Sequence, residues 1–421
     1  MRPGEHPRRI LLAVVGQSPQ ILTETVYALA RSVPPADRFV PTEVQVLTTQ
    51  AGAARLAERL LSPPSHVWRQ LIDDHALGAI DFDETRIHLV VAADGRPLDD
   101  IRTAADNAAM ADAVSERVRL LTADPDCALH VSLAGGRKTM GYYAGYALSL
   151  FGRSQDRLSH VLVDPVYEAA PDFHYPTPRR RMLRTRDGSA EVDASRAQVE
   201  LAQIPYVRLR SLLPPAMLNA PSSFADVVDA ARTAQQPPRM RLDVDRSQLL
   251  ADGQTLELTP TEFALLAVLA QRARAGKPPL RAPLRDTHDA QWAAEVLGDL
   301  QAAVGVMNVD SRVAESLARD CAGTKISPQW SRLRRALHAQ LAPARVALYF
   351  DDGATHRHKR YRVPLPAEAI DIVRPDDRRD TEDSTEDSTD CKLAAQRAPK
   401  RRGHTRPQAQ PSTRTRPRNE S

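Results

Sequence analysis

Cysteine is scarce in this chain: Cys127, Cys321 and Cys391 stand far apart and form neither a disulfide framework nor metal-ligand spacing. Long apolar runs are missing too. No stretch approaches a membrane span and the amino end lacks a signal-peptide core, so the expectation is a cytoplasmic protein without a membrane partner. His356 and His358 flank Arg357 in a basic turn with no carboxylate or thiol beside them, and neither metal nor cofactor is expected.

A fourth absence is the most telling. Nine consecutive residues, Ser132-Leu133-Ala134-Gly135-Gly136-Arg137-Lys138-Thr139-Met140, join an apolar strand to a helix rich in small residues. A P-loop would need glycine where Arg137 precedes Lys138, and another glycine further upstream, where there is none. That excludes a nucleotide triphosphatase of the P-loop class. What remains still suits an anion. Gly135 and Gly136 permit torsions and close approach that a Cβ forbids, the first helix amides have no internal partner, and Arg137 and Lys138 add two cations.

The chain has 421 residues, 42% of them hydrophobic, enough for a sizeable core and two or three domains. The formal net charge of +4 mildly favours an anionic partner, although the carboxy-terminal tail distorts that average.

A second strand, glycine turn and helix lies near the start. Arg9 to Val15 is an apolar run, Gly16-Gln17-Ser18-Pro19-Gln20 is the turn, and Ile21 to Ala30 is amphipathic. Taken singly, Ser18 reads as an N-cap with Pro19 in the first helical turn. Further strands are expected at Glu43–Leu47, ending in Thr48-Thr49, at Arg86–Ala92, Cys127–Leu133 and His160–Val163, with helices over Ala51–Leu61, Thr103–Leu121 and Thr139–Ser149. Such alternation predicts an α/β, Rossmann-like, doubly wound and mostly parallel sheet with ligands at the carboxyl ends of its strands. Both glycine turns are such ends, so Ser18 and Lys138 are expected to face one crevice.

The paired motifs Gly16-Gln17-Ser18-Pro19-Gln20 and Leu133-Ala134-Gly135-Gly136-Arg137-Lys138-Thr139-Met140 resemble those of the CRISPR-associated Rossmann-fold (CARF) sensor domains, and within them the ring nucleases. The resemblance covers roughly the first half of the chain. It implies a homodimer that binds cyclic oligoadenylate, with cyclic tetra-adenylate the foremost ligand, and cuts the ring to switch off type III CRISPR antiviral signalling. By motif position it implies Ser18 and Lys138 as catalytic, with Gly16, Gln17, Thr49, Gly135, Gly136, Arg137 and Thr139 at the ligand. A metal-independent cleavage by the adjacent 2′-hydroxyl, leaving a 2′,3′-cyclic phosphate, accords with that residue set.

The domain reading is 1–215 for the ligand-binding domain, 216–239 for a linker, 240–370 for a second domain and 371–421 for a tail. Between Pro165 and Pro215 the pattern weakens. Arg179-Arg180-Arg181 and Asp187-Gly188-Ser189 suggest a basic hairpin, read as a solvated loop or as a phosphate clamp, and Ile204 to Arg210 is a further expected strand. In the second domain Asp243 to Leu258 predicts a hairpin turning at Asp252-Gly253. Thr259, Pro260 and Glu262 then predict a capped helix. Ser327–Leu341 is an Arg-rich amphipathic helix, and Val346–Phe350 is expected to pair with Tyr361–Val363 around a wing at Asp351-Asp352-Gly353. Leu258-Thr259-Pro260-Thr261-Glu262-Phe263 and Ser331-Arg332-Leu333-Arg334-Arg335-Ala336-Leu337 resemble the winged-helix effector domains of response regulators, although the long segment Arg281–Gly323 departs from that pattern. The resemblance implies a DNA contact through Arg332, Arg334, Arg335 and His338; the same residues read equally as the wet side of a packing helix. Arg332 and His338 also fall in the Arg-x(4–6)-His spacing of HEPN ribonucleases, whose all-helical fold the strand signals oppose. The tail, with Thr381-Glu382-Asp383-Ser384 repeated and a Lys/Arg-rich end, is expected to be disordered.

Overall fold

The structure, a computed structural model, describes residues 1–63, 66–283, 289–305, 326–353 and 359–374. Met1–Ile372 pack as one compact unit built on two large cores.

The first core follows from the alternation inside the opening strand. In β1 (Arg8–Val14), Ile10, Leu12 and Val14 point to one face of the sheet, and Leu11, Ala13 and the following Val15 point to the other. Both faces are therefore covered. Elements follow as α1 (Gln20–Tyr27), β2 (Glu43–Thr48), α2 (Gln50–Leu56), α3 (Val67–His75), β3 (Ile87–Leu89), α4 (Ala104–Ala123), β4 (Cys127–Ser132), α5 (Lys138–Phe151), β5 (Arg157–Val163) and α6 (Pro165–Glu168). An antiparallel ribbon, β6 (Met182–Arg184) with β7 (Glu191–Asp193), precedes β8 (Val199–Gln203). Strand order is β3-β2-β1-β4-β5-β8, parallel except for β8, which runs antiparallel to β5. Helices α1 to α3 pack on one face, α4 and α5 on the other. This is a Rossmann-like α/β fold. After β3 the chain crosses back to lay β4 beside β1, so the topological switch point lies between these two strands.

The last sheet strand forms at Val199–Gln203, upstream of the expected Ile204–Arg210. Pro205 has no amide to give a ladder, whereas Val199 through Gln203 pair residue for residue with Val163 back to Ser159.

The segment 216–239, read from sequence as a connection, carries structure of its own. Beyond α7 (Pro215–Asn219), α8 (Phe224–Thr233) buries Val227, Val228 and Ala231 in the same core as α4 and α5. Its Phe224 ring meets Tyr143 and Tyr146 of α5 edge-on, with centroids 5.2 and 5.6 Å apart.

The second core begins with an antiparallel meander, β9 (Met240–Asp243), β10 (Gln248–Ala251) and β11 (Gln254–Leu256). Asp252 and Gly253 turn it with φ of 51° and 77°, as a two-residue hairpin requires. Next come α9 (Pro260–Arg274), β12 (Leu280–Arg281), α10 (Ala290–Val304), the helices Ile326–Gln340 and Pro343–Tyr349, β13 (Arg360–Tyr361) and β14 (Ile370–Val373). Thr259 and Glu262 form the anticipated capping box on α9. Val346–Phe350 is not a strand. Pro343 opens a helix there, and Arg345 and Tyr349, one turn apart, both reach the Asp252 carboxylate while Val346 is buried. Arg345 also donates to the carbonyls of Ala234 and Gln236 at 3.1 and 2.9 Å, clamping the end of the first half to the meander's turn. Tyr361 pairs with Leu280, and Asp351 meets Arg362 in a single bridge.

Residues 371–373, assigned to the tail by composition, complete β14 at the edge of the meander. Residues 375–421 of the tail, with Cys391, and likewise Cys321, His356 to His358 and much of Arg281–Gly323 lie outside the described residues. Among the described residues no helix is long and apolar enough to cross a membrane.

Candidate functional site

Three strand ends meet at the switch point, and glycine makes the meeting possible. After β4, Gly135 and Gly136 take φ of +100° and +70°, torsions that side chains resist. A Cβ on Gly136 would lie 2.7 Å from the Met140 Sδ. After β1, Gly16 sits so close to this turn that its Cβ would stand 2.9 Å from the Gly136 Cα. After β2, a Cβ on Gly52 would meet the Thr48 Oγ1 at 2.1 Å and the Gly16 carbonyl oxygen at 3.2 Å. The turns expected to share a crevice are thus in direct backbone contact.

Helix α5 begins at Lys138, and Arg137 at its N-cap supplies no side-chain cap. The Arg137 amide donates to the Met140 Sδ at 3.4 Å and the Met140 amide to the Arg137 carbonyl at 2.9 Å, so the Lys138 and Thr139 amides are the ones left at the positive end of the helix start. The two cations beside it are not equivalent. Arg137 is held by Asp100 through Nε to Oδ1 at 3.0 Å and Nη2 to Oδ2 at 2.5 Å. That guanidinium, together with the Ile101 amide, lowers the Asp100 carboxyl to about 2. Lys138 is exposed and has no ion-pair or hydrogen-bond partner among the described residues. It is the cation left for a ligand. Thr139 is exposed beside it.

At the other turn the expected capping differs by a residue. Pro19, with φ −66° and ψ −24°, already has helical torsions, stands at the N-cap of α1 and makes no side-chain cap bond. Ser18 does not cap: among the described residues its hydroxyl has no hydrogen-bond partner and is half-buried, next to the exposed Gln17. Thr49 is buried, and its hydroxyl accepts from the Gly52 amide at 3.4 Å as the N-cap of α2. It shapes the third wall.

Three further features carried no recognisable pattern in the sequence. Asp100 reaches the site from the loop after β3, in a stretch of ordinary turn composition. Glu24, on α1 two turns from Ser18, is 5% exposed, and burial, with the charge of Glu168, pushes its carboxyl up to about 8. Lys138 also borders an open groove of about 460 Å³ along α5, with Tyr142, Tyr146 and Tyr206 on its walls. Tyr142 is 63% exposed and lies parallel to Tyr146, with centroids 5.7 Å apart.

Residues 18–236 match the model of a protein family described as CRISPR-associated protein NE0113, from the serine turn to just past the end of α8. The match takes in more than half of the chain. The chain belongs to this CRISPR-associated NE0113 family. Ser18, the Gly135-Gly136 turn and every strand of the six-stranded sheet except β1 thus fall within the family's span, while β1, Gly16, the meander and the helices after it lie outside. No curated protein matches the chain.

Proposed function

We propose that this NE0113-family protein is a ring nuclease that binds cyclic oligoadenylate, foremost cyclic tetra-adenylate, and cuts it to end type III CRISPR signalling. The observation that supports the reading is the close approach of Gly16 to Gly136 at the switch point, which sets the turn that holds Ser18 beside the turn that leads into α5. The chemistry there suits a phosphodiester: the Lys138 and Thr139 amides at a helix start, and a lysine and a serine hydroxyl without partners among the described residues, with no side chain needed as nucleophile.

In the proposed reaction the 2′-oxygen of one ribose attacks the adjacent phosphorus, its proton passing to water. The bond from phosphorus to the 5′-oxygen breaks, that oxygen takes a proton from water, and a 2′,3′-cyclic phosphate remains. Lys138 and the amides of α5 stabilise the negative charge that grows on the phosphorane, an effect on the order of 10²–10³ in rate for one well-placed donor. Lysine suits the task as a compact point charge. Ser18 aligns the ribose hydroxyl or a phosphate oxygen, a contribution of geometry more than proton transfer. A homodimer presents two copies of this pair to a near-symmetric ring. Incubating the purified chain with labelled cyclic tetra-adenylate in EDTA tests this reading: linear products with a cyclic phosphate end support it, and intact ring overturns it.

A second reading, a ring sensor that regulates DNA binding without cutting, is favoured by one helix. In Ile326–Gln340 the side chains of Trp330, Leu333 and Leu337 are buried while Arg332, Arg335 and His338 are exposed, and Arg334 is drawn to Asp352 at 3.1 Å. A basic outer face of this kind suits phosphate contacts of a winged-helix type. Ring that is bound but uncut, with DNA affinity that changes on ring binding, would favour this reading over the nuclease.

A further inference from the structure

At the end of the sheet opposite the glycine turns lies a second cavity, of about 270 Å³. Its apolar wall is Leu29, Phe39 and Leu201. Gly4 lets the amino-terminal segment close over it, because a Cβ there would stand 2.2 Å from the Arg38 carbonyl oxygen.

The polar lining is lopsided. Arg2, Arg38 and Arg157 face it together with a single carboxylate, Asp37. Arg2 and Arg38 have no ion-pair partner among the described residues. Arg157 is fixed by Nη1, which donates to the carbonyls of Ser154 and Asp156 at 2.7 and 2.9 Å, leaving Nη2 and Nε for another acceptor. His130, in the middle of β4 and only 2% exposed, lines the cavity as well. Its Nε2 lies 2.7 Å from the Ser159 hydroxyl, and its Nδ1 is buried without a partner. Burial and the Arg157 charge push this ring down to about 3, so it is a neutral hydrogen-bonding group.

We propose that this cavity binds a small organic anion, its phosphate or carboxylate head on Arg38 and Arg157 and its body against Leu29 and Leu201. Guanidinium suits both heads, since each accepts paired hydrogen bonds. The site is independent of the ring crevice and of what is cut there.

The full-length chain is titrated calorimetrically at low salt with phenyl phosphate and with benzoate, which share the chemistry and differ in the head, and with inorganic phosphate, which lacks the body. Phenyl phosphate or benzoate should bind more tightly than inorganic phosphate. Arg38→Gln and Arg157→Gln should each weaken that binding about tenfold. Lys138→Ala, at the other end of the sheet, should leave it unchanged. Arg38 is exposed, so its variant keeps the fold; an unaltered melting curve checks this. The proposal is overturned if neither organic anion binds at millimolar concentration, if binding survives both arginine substitutions, or if Lys138→Ala is the change that abolishes it.

Discussion

Adding one methyl group at Gly16 should separate the two turns of the crevice. The Gly16→Ala Cβ would stand 2.9 Å from the Gly136 Cα and 3.4 Å from its nitrogen, against roughly 3.5 Å for the closest comfortable carbon contact. Gly16 does not have a positive φ, so the cost is steric and not torsional. Both partners are backbone and cannot swing aside as a side chain would. The turns must part by several tenths of an ångström, which costs about 1–3 kcal/mol, as overpacking does. If Ser18 and Lys138 act on one phosphodiester, a displacement of that size should slow cleavage by about 10-fold, given about 10²-fold for a full 1 Å. Single-turnover cleavage of labelled ring and a thermal melt read the two effects. Gly298→Ala on α10, where nothing lies within 4 Å of the added carbon, is the control: it should leave cleavage unchanged and, as a glycine-to-alanine change inside a helix, raise the melting temperature and not lower it. Cleavage by Gly16→Ala at the wild-type rate, despite a lowered melting temperature, would show that the turn contact does not organise the chemistry.

Lys138→Ala should lower single-turnover cleavage by about 10²–10³ while weakening ring binding less than tenfold, because its charge is matched to one that grows in the transition state; equal losses in both would remove it from catalysis. Asp100→Asn should release Arg137 and tighten ring binding a few-fold at low salt. That gain should vanish at high salt, since the pair is exposed and such pairs are worth about 0.2–1 kcal/mol; an affinity unchanged at low salt would refute it. Glu24 has a folded-state value of about 8 against an ordinary 4.5, so the folded chain holds a proton there that the unfolded chain gives up. Wild-type stability is then complete below about 4.5 and declines by on the order of 1.4 kcal/mol per pH unit as pH rises toward 8. Glu24→Gln cannot lose a proton, so its melting advantage over wild type should grow across that window and level off above it; a pH-independent difference would contradict the assignment.

The parallel sheet was legible because short, mainly apolar strands alternate with helical stretches, the first of them an unbroken apolar run from Ile10 to Val15 that ends in a glycine turn. The approach of the first and fourth strand ends was legible too, since Gly16 and Gly136 stand within the motifs, whereas Gly52 stands outside them. Capping by Ser18 was not, because Pro19 takes helical torsions itself and becomes the cap. Val346–Phe350 has β-branched and aromatic residues that suit a strand, but the reach of Arg345 and Tyr349 to Asp252 decides for a helix. Such long-range partners leave no local trace. Asp100 and Glu24 were hidden likewise, one by a loop that crosses to Arg137, the other by burial that only the packed fold creates.

The position of α8 also bears on how the protein is made. It closes the outer side of α4 and α5, and Phe224 covers Tyr143 and Tyr146, yet it lies well downstream of them in the chain. During synthesis α5 is complete at Phe151, while its cover ends at Thr233. At 5–20 residues per second the gap is roughly 4–16 s. For that interval the nascent sheet carries the helix of the proposed site with its apolar flank exposed, and for the earlier part of it, until Gln203, β8 has yet to occupy the sheet edge beside β5. Newly made chains are thus most exposed to aggregation before the site is finished, and a ribosome stalled in that interval would hold both phosphate-suited turns on a body that cannot yet close.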